Sequence, residues 1–328
     1  MIDKVNLGKQ ELRLLVTGAR GFIGQALINI FAARLPQQGG SFVRAVVRQV
    51  TASAVPSVQY ACLGDLNGQT RWQEALVGMT TVVHLAARVH VMKEDVVDPL
   101  SAFRAVNVAG TLTLARQAYE LGVKRFVFIS SIGVNGSETL LGEPFSEADQ
   151  PNPHNAYALS KWEAEKGLLR IAEETGMDVV IIRPPLVYGF NAPGNFGTLT
   201  RVVHRGWPLP LGAVYNQRSL VALDNLVDFI ITCITHPQAV NQTFLVSDGQ
   251  DLSTTELVRG MAQAAGVPAH LLPVPVWALQ AGASLLGKGD AVQRLCGNLQ
   301  VDKSKARSLL GWVPPVSVEE GLRRAMVV

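Results

Sequence analysis

One rhythm constrains this chain more than any other feature. Short apolar runs rich in β-branched residues, at 13–17, 42–47, 58–63, 81–85, 125–130, 178–183 and 243–246, alternate with segments patterned as helices. Parallel neighbours in a sheet cannot be joined by a tight turn and need a long crossover, normally a helix, so the alternation predicts a parallel sheet. Punctuation sets the helices: 22–35 stops at Pro36, 102–121 at Gly122, and 155–174 just before Gly176. Six or seven strands with helices on both faces make an α/β fold, a doubly wound parallel sheet of Rossmann type. Both faces of such a sheet are buried, which suits a chain that is 48% apolar and only 17% charged.

The first strand runs into Thr17-Gly-Ala-Arg-Gly-Phe-Ile-Gly24, which opens the first helix. Gly18 permits the tight turn, Gly21 lets the backbone approach a pyrophosphate, and Gly24 lets helix and strand pack closely, while the helix N-terminus offers free N–H groups to the anion. Gly18, Arg20, Gly21, Phe22, Ile23 and Gly24 are therefore expected to hold a dinucleotide. At the end of the second strand, where a carboxylate commonly takes the ribose 2′-hydroxyl, stands Arg48, and no Asp or Glu occurs between Phe42 and Cys62. With Arg20 as a second cation, NADP is favoured and NAD is possible. Asp65, followed by Leu66, comes just after the third strand, where a carboxylate can take the adenine amino group.

Tyr157-Ala-Leu-Ser-Lys161 follows the fifth strand on a helix, and its i,i+4 spacing puts phenol and ammonium on one face. A free phenol titrates near 10, and a neighbouring cation favours the phenolate needed of a base. Ser130 and Ser131 end the fifth strand at the carboxyl edge, where open α/β sheets bind ligands, and Ser131 can donate to a substrate oxygen. In His84-Leu-Ala-Ala87 the two alanines leave room beside Leu85 for a ribose or nicotinamide, while His84 reads as a satisfied core histidine.

After Arg183 the rhythm breaks among Pro184, Pro185, Pro193, Pro208 and Pro210. It resumes over 220–248, with a short strand, a helix from Asp224 as N-cap, and the strand 243–246. The expected division is a dinucleotide-binding domain over 1–183, its sheet completed by 219–248, and a smaller C-terminal substrate lobe from 184–218 and 249–328. The run Val274 to Leu286 is too short to span a bilayer and reads as a buried helix. Met1 to Glu11 is polar, without a signal-peptide core, so a cytoplasmic chain with no membrane contact is expected. Three scattered cysteines suggest neither disulfides nor a metal, and 29 basic against 26 acidic residues, without a basic stripe, argue against nucleic acid.

Taken together these pieces resemble the extended short-chain dehydrogenase/reductase superfamily, in its nucleotide-sugar epimerase, dehydratase and reductase branch. The matching stretches are Thr17 to Gly24, Asp65-Leu66, His84 to Ala87, Asn107-Val-Ala-Gly-Thr111, Phe128 to Gly136, Tyr157 to Lys161, Arg183 to Gly189 and Arg218 to Asp224. The resemblance implies that Ser131, Tyr157 and Lys161 form the catalytic triad and that Lys161 also holds the nicotinamide ribose. It brings Asn107, Ser130 and Pro184 to the cofactor and Arg88 to the substrate. It further implies a UDP-sugar substrate, with Arg218 on its diphosphate and Asn195 to Thr198 and Leu209-Pro-Leu211 around its uridine, and a homodimer paired through the helices that bear Asn107 and Tyr157.

Departures narrow the chemistry. Ser131 is followed by Ile132 and Gly133 rather than by the acidic pair of the dehydratases, which disfavours elimination of water. Leu186, Phe190 and Asn135 stand where relatives carry Asn, Pro and Tyr. The stretch Ala87 to Lys93, with His90 as a sugar contact, and Ser130 to Gly136 are similar to bacterial reductases of UDP-2-acetamido-2,6-dideoxy-hexos-4-ulose. The leading expectation is thus an NAD(P)-dependent reductase acting on the 4-keto group of a UDP-4-keto-6-deoxy-N-acetylhexosamine for O-antigen. The alternatives are a UDP-hexose or UDP-N-acetylhexosamine 4-epimerase and a non-catalytic NADP-sensing protein.

Overall fold

A computed structural model describes residues 11–34, 40–49, 55–89, 98–285, 287 and 289–327. Its strands are β1 (Arg13–Thr17), β2 (Phe42–Val47), β3 (Gln59–Cys62), β4 (Thr81–His84), β5 (Arg125–Ile129), β6 (Asp178–Arg183), β7 (Leu186–Tyr188), β8 (Leu220–Ala222) and β9 (Gln242–Leu245). Seven of them form one parallel sheet in the order β3-β2-β1-β4-β5-β6-β9, as the alternation predicts.

Successive side chains along a strand point to opposite faces, and here each face has its own core. Leu14, Val16, Val127, Ile129, Val180 and Ile182 pack beneath the Phe22–Arg34 and Leu223–Thr235 helices. Leu15, Phe126, Phe128, Val179 and Ile181 pack against the Thr111–Glu120 and Ala156–Thr175 helices. A third core, built on Tyr188, Phe196, Leu220, Met261 and Leu322, gathers around a separate two-stranded ribbon in which β7 pairs with β8.

Local chemistry fixes the helix ends. Asn155 accepts from the Ala158 N–H at 2.8 Å to start the Ala156–Thr175 helix, and Gly176, at φ 74°, ends it. Three expectations are corrected. The single helix over 102–121 is an α-turn at Pro99–Phe103, a π-helix at Arg104–Gly110 and an α-helix at Thr111–Glu120. Asp224 is not an N-cap: β8 runs straight into the helix, Asp248 accepts from the Ala222 N–H at 2.8 Å, and Asp224 instead meets Arg324 at 3.0 Å from the first turn. The apolar run does form a helix, Val276–Leu285, but only Ala283 on it is buried, because its inward stripe is narrow.

Candidate active site

The carboxyl ends of β1, β4, β5 and β6 meet in one place. At the first of them Gly18 has φ 65°, and a Cβ there would stand 2.7 Å from the Ala86 nitrogen and 2.8 Å from the Leu85 carbonyl carbon. A Cβ on Gly24 would drive into the Gly18 carbonyl oxygen, so the helix approaches the loop only because that side chain is missing. Gly21 donates its N–H to the Gly18 oxygen at 2.8 Å. Arg20 is exposed, Ile23 packs on the core of its own sheet face, and Phe22 packs on the third core beside Gly189, bridging the glycine loop to the chain after β6.

His84 stiffens this edge from beneath. Its Nδ1 lies 2.7 Å from Thr17 Oγ1 and its Nε2 2.9 Å from Thr111 Oγ1, while Thr17 Oγ1 also accepts from the Ala86 N–H at 3.2 Å. Burial, with a smaller effect from Lys161, pushes the imidazole down to about 3, so it is neutral and structural, as its surroundings in the sequence suggest.

Asn107, inside the π-helix, ties three segments together. Its Oδ1 accepts from the Arg88 N–H at 2.8 Å, and its Nδ2 donates to the Arg88 carbonyl at 3.1 Å and to Ser160 Oγ at 3.0 Å. Ser160 in turn donates to the Tyr157 carbonyl at 2.7 Å. The loop after β4 and the helix bearing Tyr157 are therefore held in a fixed relation by one buried amide.

On that helix Lys161 is fully buried, donating to the Ile129 carbonyl at 2.7 Å and standing 4.4 Å above the Phe128 ring and 6.0 Å from the Tyr157 ring centre. Desolvation disfavours the charged form of each group, lowering Lys161 to about 7 and raising Tyr157 to about 12. A positive charge brought beside the phenol would reverse the second of these shifts. Ser131 lies at the end of β5, its Oγ accepting from the Gly133 N–H at 3.1 Å, and the turn that follows packs on Ala158 of the same helix. Ser130 is buried with its Oγ unpartnered, and its N–H donates to the Ile182 carbonyl at 2.7 Å. Pro184 accepts from the Ile132 N–H at 3.0 Å, fastening the serine turn to the end of β6.

These features fit a dinucleotide: a cradle that a Cβ would fill, an orphaned buried hydroxyl at the strand edge, and an ammonium held among carbonyl and aromatic groups. At the outer end Arg48 and Asp65 stand 3.8 Å apart, both exposed, with Leu66 partly buried against the core. His90 to Lys93 lie outside the described residues.

The residues expected on the substrate side are spread over the third core. Asn195 and Thr198 are exposed in the first turns of the Gly194–His204 helix, and Leu209 lies partly buried with its N–H donating to the His270 carbonyl at 2.8 Å. Arg218 donates from Nη1 to the Gly297 carbonyl at 3.0 Å, and burial holds its guanidinium below its ordinary value. Reading the sequence left one buried group without a role: Arg183, from β6, donates to both carboxylate oxygens of Glu165 and to Asn135 Oδ1 at 2.9 Å. Asn135, in place of the Tyr of relatives, is its amide partner and also donates to the Ser146 carbonyl at 2.8 Å. Only an unexpected polar residue in the serine loop hinted at this.

A parallel sheet with a glycine cradle at β1 and a Tyr/Lys helix behind a strand-end serine defines an enzyme of the extended short-chain dehydrogenase/reductase class. Residues 14–247 match the model of the NAD dependent epimerase/dehydratase family, and the chain belongs to that family. It is 46% identical over 317 residues to a Vibrio cholerae protein named UDP-glucose 4-epimerase, covering 96% of this chain and 95% of that one. It is 28% identical to an Escherichia coli O157:H7 protein named N-acetyl-alpha-D-glucosaminyl-diphospho-ditrans,octacis-undecaprenol 4-epimerase, covering 95% and 94%. The crystal structure of UDP-N-acetylglucosamine 4-epimerase from Bacillus cereus shares the fold, with a TM-score of 0.75, 22% identity and 96% of each chain covered. Among the described residues no helix is long and apolar enough to cross a membrane, and no cluster of side chains could hold a metal ion.

Proposed function

We propose that the protein interconverts UDP-hexoses, or their N-acetylated forms, at C4. The near full-length identity of 46% to a protein named UDP-glucose 4-epimerase carries this reading, and it displaces the 4-keto reductase favoured by the sequence alone. The absence of an acidic pair after Ser131 agrees with it, since epimerisation requires no loss of water.

NAD, when bound, supplies a reversible hydride acceptor. The chain's own residues supply the proton chemistry: Tyr157 takes the proton of the 4-hydroxyl as C4 becomes a ketone, and returns it once the sugar has turned its other face. Lys161 lends positive charge to the phenolate and holds the ribose, and Ser131 donates to the oxygen on C4. Ser130, Pro184, Leu85, Ala86, Ala87 and Asn107 shape the nicotinamide side, and Gly18, Arg20, Gly21, Phe22, Ile23 and Gly24 hold the pyrophosphate. Asp65 and Leu66 take the adenine. Because a 2′-phosphate beside Arg48 would also face the Asp65 carboxylate, NAD is the better fit than NADP. The lobe formed by 184–218 and 249–328 binds the sugar nucleotide through Asn195, Thr198, Leu209 and Arg218, joined by Arg88 from the loop after β4, and two copies pair through the helices bearing Asn107 and Tyr157.

Purified protein incubated with UDP-glucose or UDP-N-acetylglucosamine, without added cofactor, should yield the C4 epimer, and acid extracts of it should contain NAD. A protein inert in that assay that oxidised added NADPH with a UDP-4-keto-6-deoxy-N-acetylhexosamine would restore the reductase reading.

A further inference from the structure

Arg218 is held at two points. Its backbone is pinned just ahead of the Thr254–Ala264 helix: its N–H donates to the Leu252 carbonyl and its own carbonyl accepts from the Leu252 N–H, both at 3.0 Å. Its side chain is aimed by one contact, Nη1 to the Gly297 carbonyl at 3.0 Å, and among the described residues no carboxylate pairs with it. That carbonyl belongs to a different element, just past the Gly289–Cys296 helix, where the last carbonyls have no partner inside the helix.

Asn216, two residues before Arg218 and buried, holds the same carbonyl. Its Nδ2 donates to the Gly297 carbonyl at 2.8 Å and to the Leu295 carbonyl at 3.0 Å, while its Oδ1 accepts from the Thr254 N–H at 2.9 Å. The amide sits only this way round, since turning it over would set its oxygen against two carbonyl oxygens and its NH2 against an N–H. A carbonyl oxygen accepts two donors, and here the amide takes one place and the guanidinium the other. The first turn of the Thr254–Ala264 helix therefore fixes Asn216, Asn216 fixes the Gly297 carbonyl, and that carbonyl aims Arg218. The planar fork of an arginine grips an anion through parallel bonds only when it is aimed, which a lysine ammonium does not require.

We infer that Asn216 is a positioning residue for the substrate diphosphate, acting through the Gly297 carbonyl on the Arg218 guanidinium. The inference rests on the reading that Arg218 holds the diphosphate, and the test separates the two. Calorimetry would measure UDP binding to the full chain, to Asn216→Ala, to Arg218→Lys, to the double variant and to Thr254→Val. Thr254 Oγ1 donates to the Leu295 carbonyl, so Thr254→Val loosens the same helix end but leaves Asn216 on Gly297. Thermal melts report folding, and Asn216→Ser, too short to reach both carbonyls, takes the place of Asn216→Ala if that variant does not fold. Asn216→Ala and Arg218→Lys are each expected to weaken UDP binding about tenfold. The double variant should bind no more than about twofold more weakly than Arg218→Lys alone, and Thr254→Val should bind as the parent does. With UDP-glucose as substrate, Asn216→Ala should raise KM about tenfold and keep kcat within about twofold. Losses that multiply to about a hundredfold in the double variant would overturn the inference and leave the reading of Arg218 intact. An equal loss in Thr254→Val, or a lowered kcat at unchanged KM in Asn216→Ala, would do the same. UDP affinity unchanged by Arg218→Lys would overturn the reading of Arg218 and the inference with it.

Discussion

Two buried cations meet the same helix one turn apart and are treated in opposite ways. Arg183 is closed off: three of its nitrogens donate to Glu165 and Asn135, and every partner is itself buried. Lys161, four residues before Glu165, has a backbone carbonyl and an aromatic face but no carboxylate in contact. A fully paired charge is fixed and costly to disturb, whereas a cation that burial disfavours holds its proton loosely. The first arrangement fastens the Tyr157 helix to β6 and the serine loop. The second leaves charge available where a phenol needs it, at a cost to stability of the kind expected of functional sites.

The contrast is broken most sharply at Lys161. Lys161→Met should lower turnover about a thousandfold through loss of the charge beside Tyr157, yet raise stability at neutral pH by about 1–4 kcal/mol by removing a poorly compensated buried ammonium. The sign with pH follows from the lowered value. The unfolded chain keeps this proton up to its ordinary 10.5, whereas the folded protein releases it above about 7. The penalty is therefore complete below pH 7 and shrinks as pH rises from there towards 10.5. Denaturant unfolding of both proteins across that window should show their stabilities converging, and a constant gap would mean that burial does not perturb this proton. Next in size, Glu165→Gln should cost about 3–5 kcal/mol in the same unfolding assay, because it strands the Arg183 charge. A loss below about 1 kcal/mol would place the pair among weak surface bridges instead.

What the sequence made legible follows the same division. The sheet was readable because seven apolar runs, their helix punctuation and the Gly18 to Gly24 loop are local patterns, each written within about eight residues. Tyr157 and Lys161 were readable because one helical turn sets their relation. The Arg183–Glu165–Asn135 contact joins residues 18 and 48 apart on three elements, and nothing in their spacing announces it. The π-helix around Asn107 was hidden for a related reason, since its pattern is apolar enough for an uninterrupted helix and the extra residue per turn answers to tertiary bonds. Burial of the Val276–Leu285 helix was misjudged because composition reports how apolar a segment is, not how much of the molecule stands ready to cover it.

The smallest effect asks whether the Arg183 charge is fastened for its own sake or for the amide it holds. Replacing both ions with apolar side chains of similar length, R183M/E165L, removes the stranded charge that makes Glu165→Gln costly, and exchanges of this kind are often neutral. Asn135 Oδ1, however, would lose its donor while remaining buried, which costs about 1–3 kcal/mol. The double variant should therefore be more stable than Glu165→Gln and less stable than the parent protein by roughly that amount. Unfolding midpoints of the three proteins decide it. A double variant as unstable as Glu165→Gln would show that the guanidinium packs the serine loop by shape rather than by closing a charge, and the contrast with Lys161 would lose its electrostatic basis.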